Sequence, residues 1–359
     1  MKHIYHIFLK IVCNLFTSDK CSIHNPKNIL ISARFKIGDS IMLTPLLKEL
    51  KIAFPDVKID ILTGSANDFM FQNNPNVNET FKLYKSKMFY KNFINIFCLR
   101  KKNYSVVIDL LPLKIGNFLY LKLLNSSLFI GDNLDNRYNI DVVKNNCFDL
   151  VLPRSKQKLH MSEQFSRFLI PFNIHPKKIT TEVYYGEDEL QKAINFLEKF
   201  KLQKNILINI DGSAKERCFY IDDYKYLTSK LCLLYPDYNI FISSLSPRHD
   251  EIKSFVKAEN ITNLHQLYDT KTIFEITAFI SRVNLLISPD TSLVHIASAL
   301  NINCVAVYSG NKSIFSQWHP NSKLAKVVTP PITNQNSIIN FQREDIIMCT
   351  KELLNANKK

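Results

Sequence analysis

The chain has 359 residues, more than one hydrophobic core usually supports, so two domains are expected. Hydrophobic residues make up 46% of the chain, which is normal for a globular protein and unlike a membrane-spanning one. The 46 Lys and Arg exceed the 32 Asp and Glu, giving a net charge of +14. This excess suits a polyanionic partner or reflects the Lys bias of an AT-rich genome, and no nucleic-acid-binding module appears.

Residues 1–27 form an N-terminal extension before the first predicted strand. Its apolar run is broken by His6 and Lys10, so it is too short to span a bilayer and is a poor signal peptide. One helical face of the extension is apolar and carries Ile4, Phe8, Ile11 and Leu15. The pattern predicts either an interfacial helix at a membrane surface or a helix packed on the first domain.

Short apolar strands alternate with helices through residues 28–172. The predicted strands are Asn28–Ser32, Val57–Thr63, Ser105–Leu110 and Leu128–Gly131. The predicted helices are Ile41–Phe54, Ala66–Gln72, a segment ending near Leu124, and His160–Pro171. This alternation is typical of a doubly wound parallel sheet and predicts a first Rossmann-like domain.

The alternation restarts after a connection at Phe172–Tyr185. Its predicted strands are Asn205–Ile210, Asn239–Ser243, Val283–Ile287 and Cys304–Tyr308. Its predicted helices are Asp222–Leu234, Arg248–Ala258, Thr272–Ser281 and Gln342–Ala356. We therefore predict an α/β protein with a second Rossmann-like domain over residues 173–359.

Two segments join a buried strand to a helix through a sharp turn, and we call them the first and second elbows. The first is Ala33–Pro45 (ARFKIGDSIMLTP) and the second is Ser288–Leu300 (SPDTSLVHIASAL). In open α/β sheets, ligands collect at the carboxyl ends of strands, where helix N-termini present unpaired N–H groups. We expect the first elbow to supply a carboxylate and the second an anion site, on two sheets facing a central cleft.

Glycine and cysteine usage adds two expectations. Only seven glycines occur, so Gly38 and Gly212, both at predicted strand-to-helix turns, should mark positive φ or a close backbone approach. The eight cysteines show no C-x-x-C and no Cys/His metal spacing, which indicates reduced thiols and a cytoplasmic protein.

Both elbows carry a family resemblance. The patterns R-x-x-x-G-D-x-x-x-x-T-P and D-T-S-x-x-H-x-A-x-A-L resemble those of the bacterial heptosyltransferases of lipopolysaccharide assembly, glycosyltransferase family 9. The resemblance runs from about Asn28 to about Pro320. It implies two Rossmann-like domains in the GT-B arrangement, a nucleotide-sugar donor, and inversion without a metal. In that arrangement the C-terminal helix often crosses back onto the N-terminal domain.

Asp39 is the predicted catalytic residue. Inverting glycosyl transfer needs a carboxylate that takes the proton of the attacking acceptor hydroxyl, and the resemblance gives this role to the Asp of the G-D pair. The alternative is that Asp39 caps a helix beginning near Ser40 or Ile41. Arg34 and Gly38 are placed on the acceptor side. Arg34 would bind a phosphate, unless it is a surface residue satisfied by a neighbouring carboxylate.

The donor site is predicted in the second domain. The N–H groups of the second elbow and the Thr291 hydroxyl can hold a pyrophosphate. The resemblance places Thr291 and Ser292 at the phosphates and Asp290 at the sugar. His295 either faces the donor or is a core histidine. Further predicted donor-site residues, from the DGSAKER and PRHDE segments, are Ser213, Lys215, Arg217 and Glu251.

Several positions depart from the family pattern. Ser292 and Ser309 stand where Gly is usual, and Asn301 replaces the Gly that normally ends the elbow helix. The usual Lys-Arg-Trp-Pro run is absent, which leaves open whether Lys215 or Arg217 meets the phosphates. No D-x-D triplet, the metal-carrying motif of other glycosyltransferases, occurs in the chain.

These observations predict an inverting, metal-independent, cofactor-free transfer of heptose from ADP-heptose to a lipopolysaccharide core acceptor. The expected partners are the nucleotide sugar, the anionic core acceptor and the cytoplasmic face of the inner membrane, without nucleic acid. The alternatives are a family member with another nucleotide sugar, an epimerase of the same architecture, and a non-catalytic saccharide-binding relative. Retention of Asp39 together with Asp290 and Thr291 argues against the last.

Overall fold

The computed structural model describes residue 23 and residues 25–84, 90–124, 126–136, 138–212, 214–331 and 337–356. The predicted N-terminal helix therefore lies outside the described residues. The chain divides into two compact units, Met1–Ile179 and Thr180–Lys359. No helix of the described residues is long and apolar enough to cross a membrane.

The first unit is a six-stranded parallel sheet with helices between its strands. The strands are β1 Asn28–Ser32, β2 Lys58–Thr63, β3 Glu79–Lys82, β4 Val106–Asp109, β5 Leu128–Asp132 and β6 Leu150–Leu152. The helices are α1 Ile37–Ala53, α2 Tyr90–Arg100, α3 Ile115–Lys122 and α4 Met161–Ser166, followed by the 3₁₀ helix Arg167–Phe172. The strand order is 3-2-1-4-5-6, with all pairs parallel.

The second unit repeats this plan. Its strands are β7 Lys204–Asn209, β8 Tyr238–Ser243, β9 Leu264–Gln266, β10 Leu285–Pro289, β11 Asn303–Val307 and β12 Ala325–Val328. Its helices are α5 Glu187–Leu197, α6 Ile221–Leu234, α7 His249–Glu259, α8 Ile273–Ile280, α9 Ser292–Ala299, α10 Lys312–Trp318 and α11 Arg343–Ala356. Its strand order, read from one edge, is β9-β8-β7-β10-β11-β12. With β7 counted as the first strand, this is again 3-2-1-4-5-6.

Both sheets have the strand order of Rossmann folds, in which ligands bind where the order reverses. That point lies between β1 and β4 in the first unit and between β7 and β10 in the second. The first elbow follows β1 and the second follows β10. Each elbow therefore lies at the switch point of its own sheet.

Helix α1 begins at Ile37, four residues before the predicted start. Gly38 and Asp39 thus lie in its first turn, and none of the described glycines has positive φ, so of the two roles predicted for Gly38 the positive φ is wrong. Pro45, expected near the helix entry, lies inside α1. Its missing N–H leaves the Ile41 carbonyl free, and the Thr44 hydroxyl donates to that carbonyl at 2.7 Å. This bond compensates for the proline.

Left-handed backbone positions among the described residues are occupied by asparagine. They are Asn103, Asn139, Asn146, Asn173, Asn260, Asn301 and Asn340. Asn301 follows α9 with φ of 55°, and the next N–H, of Ile302, donates to the Ala297 carbonyl at 2.9 Å. This is a Schellman helix end, usually built on glycine. Asn301 therefore performs the conformational task of the glycine it replaces.

The last helix, α11, contributes to the core of the second unit. Its buried residues Ile346, Ile347, Leu353 and Leu354 belong to that core, and the helix packs on β10, β11 and β12 and on α6. The crossing of this helix back onto the N-terminal domain, which the family resemblance implies, stays a prediction.

Candidate active site

The first elbow presents a partly buried carboxylate at the carboxyl end of β1. Lys36 is the N-cap of α1, and its backbone N–H donates to Asp39 Oδ2 at 3.1 Å. Asp39 thus occupies the third helical position and helps close a capping box; it is not the N-cap that was considered as the alternative. Burial raises the pKa of Asp39, while the Lys36 N–H and the Lys36 charge oppose the rise. A carboxylate with a raised pKa is a stronger proton acceptor, as a general base requires.

Asn67 holds the elbow in place from the neighbouring β2 loop. Its side-chain amide donates to the Ala33 carbonyl at 2.7 Å and to Ser40 Oγ at 3.0 Å. Its Oδ1 accepts from the Gly64 N–H at 3.0 Å. These bonds turn residues 64–67 into a tight turn in place of the predicted Ala66–Gln72 helix, and they fix both ends of the segment that carries Asp39.

A buried polar cluster lies at the carboxyl ends of β1, the strand before Asp39, and of its neighbour β4. Asp109, the last residue of β4, is fully buried and pairs in register with Ser32 of β1. Asn117 donates to Asp109 Oδ2 at 3.0 Å and to Ser32 Oγ at 3.3 Å. Burial raises the pKa of Asp109 to about 6, against the opposing hydrogen bonds and the Arg34 charge. The sequence analysis did not place Asp109 in the site, although the end of a buried strand is a signal for such residues.

Arg34 is half-buried above this cluster. Its Nε is buried without a hydrogen-bond partner, and no carboxylate of the described residues lies within ion-pair distance of it. Burial lowers the pKa of Arg34, and the Asp109 carboxyl opposes that shift. The satisfied surface arginine considered as the alternative is therefore not what the structure has. An incompletely paired guanidinium at a switch point is suited to an anionic ligand.

The raised pKa of Asp109 predicts a pH-dependent stability. The pKa of Asp109 in the folded protein, about 6, exceeds its ordinary value of 3.8. Its contribution to the free energy of unfolding is therefore full below pH 3.8 and is lost as the pH rises through 6. A shift of about two pKa units corresponds to about 3 kcal/mol, of which about 1–2 kcal/mol is lost between pH 5 and pH 8. Urea unfolding of Asp109→Asn should lack this part of the pH dependence. An unchanged slope in the variant would contradict the assignment.

The second elbow opens helix α9 with Thr291 as its N-cap. Thr291 Oγ1 accepts from the Leu293 N–H at 3.2 Å and lies 3.2 Å from Ser288 Oγ. Asn209, at the end of β7, donates to Ser288 Oγ at 3.0 Å and so joins the two strands of the switch point. Ser292 is half-buried at the first helical position. The helix N-terminus is therefore held rigidly at the sheet edge where an anion is expected.

Asp290 and Arg217 form an ion pair beside this helix start. Arg217 Nη1 donates to Asp290 Oδ2 at 3.0 Å, and both side chains are largely buried. Burial raises the pKa of Asp290, and Arg217 opposes the rise. A Cβ at Gly212 would lie 2.3 Å from the Arg217 carbonyl oxygen, so this glycine serves the predicted close backbone approach. Only glycine lets residues 215–217 pack this close.

Lys215 lies on the short 3₁₀ helix Lys215–Arg217 and is exposed. No ion pair joins it to a carboxylate of the described residues. Of the two cations left open by the sequence, Arg217 is thus engaged with Asp290 and Lys215 is available. Ser213, the remaining predicted residue of this loop, lies outside the described residues.

Glu251 belongs to a network of hydrogen bonds and ion pairs, of which only Glu251 itself was a predicted site residue. Tyr224 donates to Glu251 Oε1 at 2.7 Å, and Arg248 Nε lies 3.3 Å from Oε2. Arg248 also donates to Asp211 Oδ1 at 2.9 Å. These partners lower the pKa of Glu251, Arg248 first. Asp211 and Arg248 were missed because the ion pair that joins them links residues 37 positions apart in the chain.

His295 is a buried residue of α9. It is 4% exposed, and its ring centroid lies 6.4 Å from that of Trp318. Of the two predictions for His295, its burial matches the core histidine. It lies four residues after the N-cap Thr291.

The two sheets and their switch-point elbows define a class. An α/β protein of two Rossmann-like units is the fold of the GT-B glycosyltransferases, and the solved structures that resemble this chain have it. The profile of glycosyltransferase family 9 (heptosyltransferase) matches residues 138–349. The chain belongs to glycosyltransferase family 9, and it is a glycosyltransferase.

Three relatives illustrate the similarity. Lipopolysaccharide heptosyltransferase 3 of Escherichia coli is 24% identical, over 79% of this chain and 83% of its own. Lipopolysaccharide heptosyltransferase 1 of Campylobacter coli is 22% identical, over 88% and 96%. The structure of Escherichia coli heptosyltransferase WaaC with ADP has a TM-score of 0.71 at 15% identity, covering 91% of this chain and 99% of that one. The resemblance in sequence and in fold extends over both units.

Proposed function

We propose that the protein transfers heptose from ADP-heptose to a lipopolysaccharide core acceptor, with inversion and without a resident metal or other cofactor. The observation that carries this proposal is the pair of switch points. One holds the partly buried carboxylate Asp39 and the other a helix N-terminus capped by Thr291. The relatives' names, lipopolysaccharide heptosyltransferases 1 and 3, and the ADP of the WaaC structure support this acceptor and donor.

In the proposed reaction, one group of residues activates the acceptor and another stabilises the leaving group. Asp39 takes the proton of the acceptor hydroxyl as that oxygen bonds to the anomeric carbon on the face opposite the leaving group. The bond from that carbon to the diphosphate breaks, and ADP leaves with the electron pair. The N–H groups at the start of α9 and the unpaired Lys215 stabilise the new phosphate charge. Direct attack by the acceptor gives inversion.

The other predicted residues hold the two substrates. Arg34 binds a phosphate of the acceptor, because its guanidinium is half-buried and incompletely paired. Asp290 contacts the donor sugar and is oriented by Arg217. Glu251, held ionised by Arg248, accepts hydrogen bonds from the ribose. The acceptor's lipid places the reaction at the cytoplasmic face of the inner membrane.

One incubation tests the reaction. Purified protein, ADP-heptose and core acceptor are combined with EDTA, and the product's anomeric configuration is read by NMR. We expect transfer with inversion. Absence of transfer, or transfer only with added Mg²⁺, would contradict the proposal, and donor consumption without acceptor would indicate an epimerase.

The nucleotide is tested separately by thermal shift. A nucleotide at 100 times its Kd stabilises the protein by about 2.7 kcal/mol. We expect ADP to raise the melting temperature and UDP and GDP to leave it unchanged. Stabilisation by UDP or GDP alone would favour a family member with another donor.

A further inference from the structure

Helix α2 of the first unit exposes a large apolar surface. Ile94 is 61% exposed and Phe97 is 67% exposed, one helical turn apart on the same face. The opposite face is buried through Ile96 and Leu99, so the helix is anchored to the unit's core. The exposed pair is therefore held on a rigid element, and its burial against another surface would be favourable.

Positive charge is concentrated around this helix. Residues 82–102 contain seven Lys and Arg and no Asp or Glu, which is half of the chain's excess of fourteen. The structure describes five of these seven, and two of the five are paired: Lys82 with Asp68, and Lys102 with Asp60 and Glu79. Lys91, Arg100 and Lys101 have no ion pair with any carboxylate of the described residues. Lys91 lies near the start of α2, and the other two lie at its end, so cations flank the apolar pair on both sides.

We propose that this face of α2, defined by Lys91, Ile94, Phe97, Arg100 and Lys101, docks onto an anionic lipid bilayer. Aromatic and aliphatic side chains between cations that have no carboxylate partner are the pattern of interfacial helices, in which apolar groups enter the acyl boundary and cations contact lipid phosphates. The absence of acidic residues across 82–102 favours a uniformly negative partner over a protein surface of mixed charge.

The inference deepens the proposed function, since a bilayer-docked first unit would face a lipid-linked acceptor. It rests on the proposed function only for that consequence, because lipid binding is measurable without any transfer. The two ideas can therefore fail separately.

Vesicle flotation of the full chain tests the docking. We expect the wild type to float with vesicles of phosphatidylcholine and phosphatidylglycerol, more weakly at high salt, and not with phosphatidylcholine alone. Ile94→Ser/Phe97→Ser should weaken binding about tenfold or more, and Arg100→Gln/Lys101→Gln should weaken it and flatten the salt dependence. Transfer to a delipidated acceptor should be unchanged in both, which separates docking from catalysis.

Matched controls come from the second unit. Leu233→Ser removes an apolar side chain that is 77% exposed, and Lys253→Gln/Lys257→Gln removes two exposed charges of α7. Both should bind vesicles like the wild type, and melting curves should show that all variants are folded. Wild-type protein that ignores anionic vesicles would overturn the inference and point to a protein partner. Unchanged binding by the α2 variants would also overturn it and assign the binding to another segment.

Discussion

Replacing Asp39 by Asn should lower kcat by about 10²-fold or more, because the variant has no general base for the acceptor hydroxyl. Its Oδ1 can still accept from the Lys36 N–H, so the capping box and the start of α1 should persist. Loss of a negative charge in the first helical turn costs only about 0.3–1 kcal/mol. Melting temperature and nucleotide affinity should therefore barely change. Steady-state kinetics, calorimetry and thermal unfolding measure the three quantities.

The matched control is Asp56→Asn, which removes the same charge from an exposed turn of the same unit. It should leave kcat at the wild-type value. A pH profile adds an independent readout: wild-type kcat should fall as pH drops through the raised pKa of Asp39. Near-wild-type turnover of Asp39→Asn would refute its assignment as the base and direct attention to Asp109 or Asp290.

Gly212→Ala should damage the donor site without touching a substrate-contacting side chain. The new Cβ would lie 2.3 Å from the Arg217 carbonyl oxygen and 2.7 Å from its Cβ, so the backbone of residues 215–217 must shift. The shift breaks the Arg217–Asp290 ion pair and displaces Lys215. A displacement of about 1 Å at a reacting site can lower the rate about 10²-fold, and overpacking costs about 1–3 kcal/mol of stability. We expect kcat/KM to fall by that factor and ADP to bind more weakly.

Gly116→Ala is its control. Nothing lies within 4 Å of a Cβ at this position in α3, so the substitution should stabilise the protein by about 0.4–1 kcal/mol. Its kinetics should match the wild type. If Gly212→Ala behaved like Gly116→Ala, the tight packing of the 215–217 segment would have no role in donor binding.

The central strands and both elbows were predictable from the sequence. Runs such as Asn28–Ser32 and Asn205–Ile210 lie in the middle of a parallel sheet covered on both faces, so each has a continuous apolar centre of three residues, Ile-Leu-Ile. The edge strands β3, β6, β9 and β12 were missed. They have three or four residues each and are only partly buried, so their sequences carry little pattern.

Several errors concern individual helices. The start of α1 was misplaced because its N-cap is Lys36, which has none of the usual capping chemistry. Helices α2, α5 and α10 were not predicted at all, and Ala66–Gln72 was predicted as a helix. In that segment the Asn67 side chain bonds to Ala33, Ser40 and Gly64, and such long-range bonds cannot be read from neighbouring residues.

The asparagines at left-handed positions show how a chain with few glycines can still end its helices and turns. The chain has only seven glycines, and the left-handed positions of its described residues are all asparagine. Asn is the non-glycine residue that tolerates left-handed backbone, and in each case here an apolar residue or cysteine follows it, such as Ile302 or Phe341. Mutational drift can thus proceed through these positions without unfolding the protein. In a chain as poor in glycine as this one, Asn before an apolar residue is therefore a better mark of left-handed backbone than Gly.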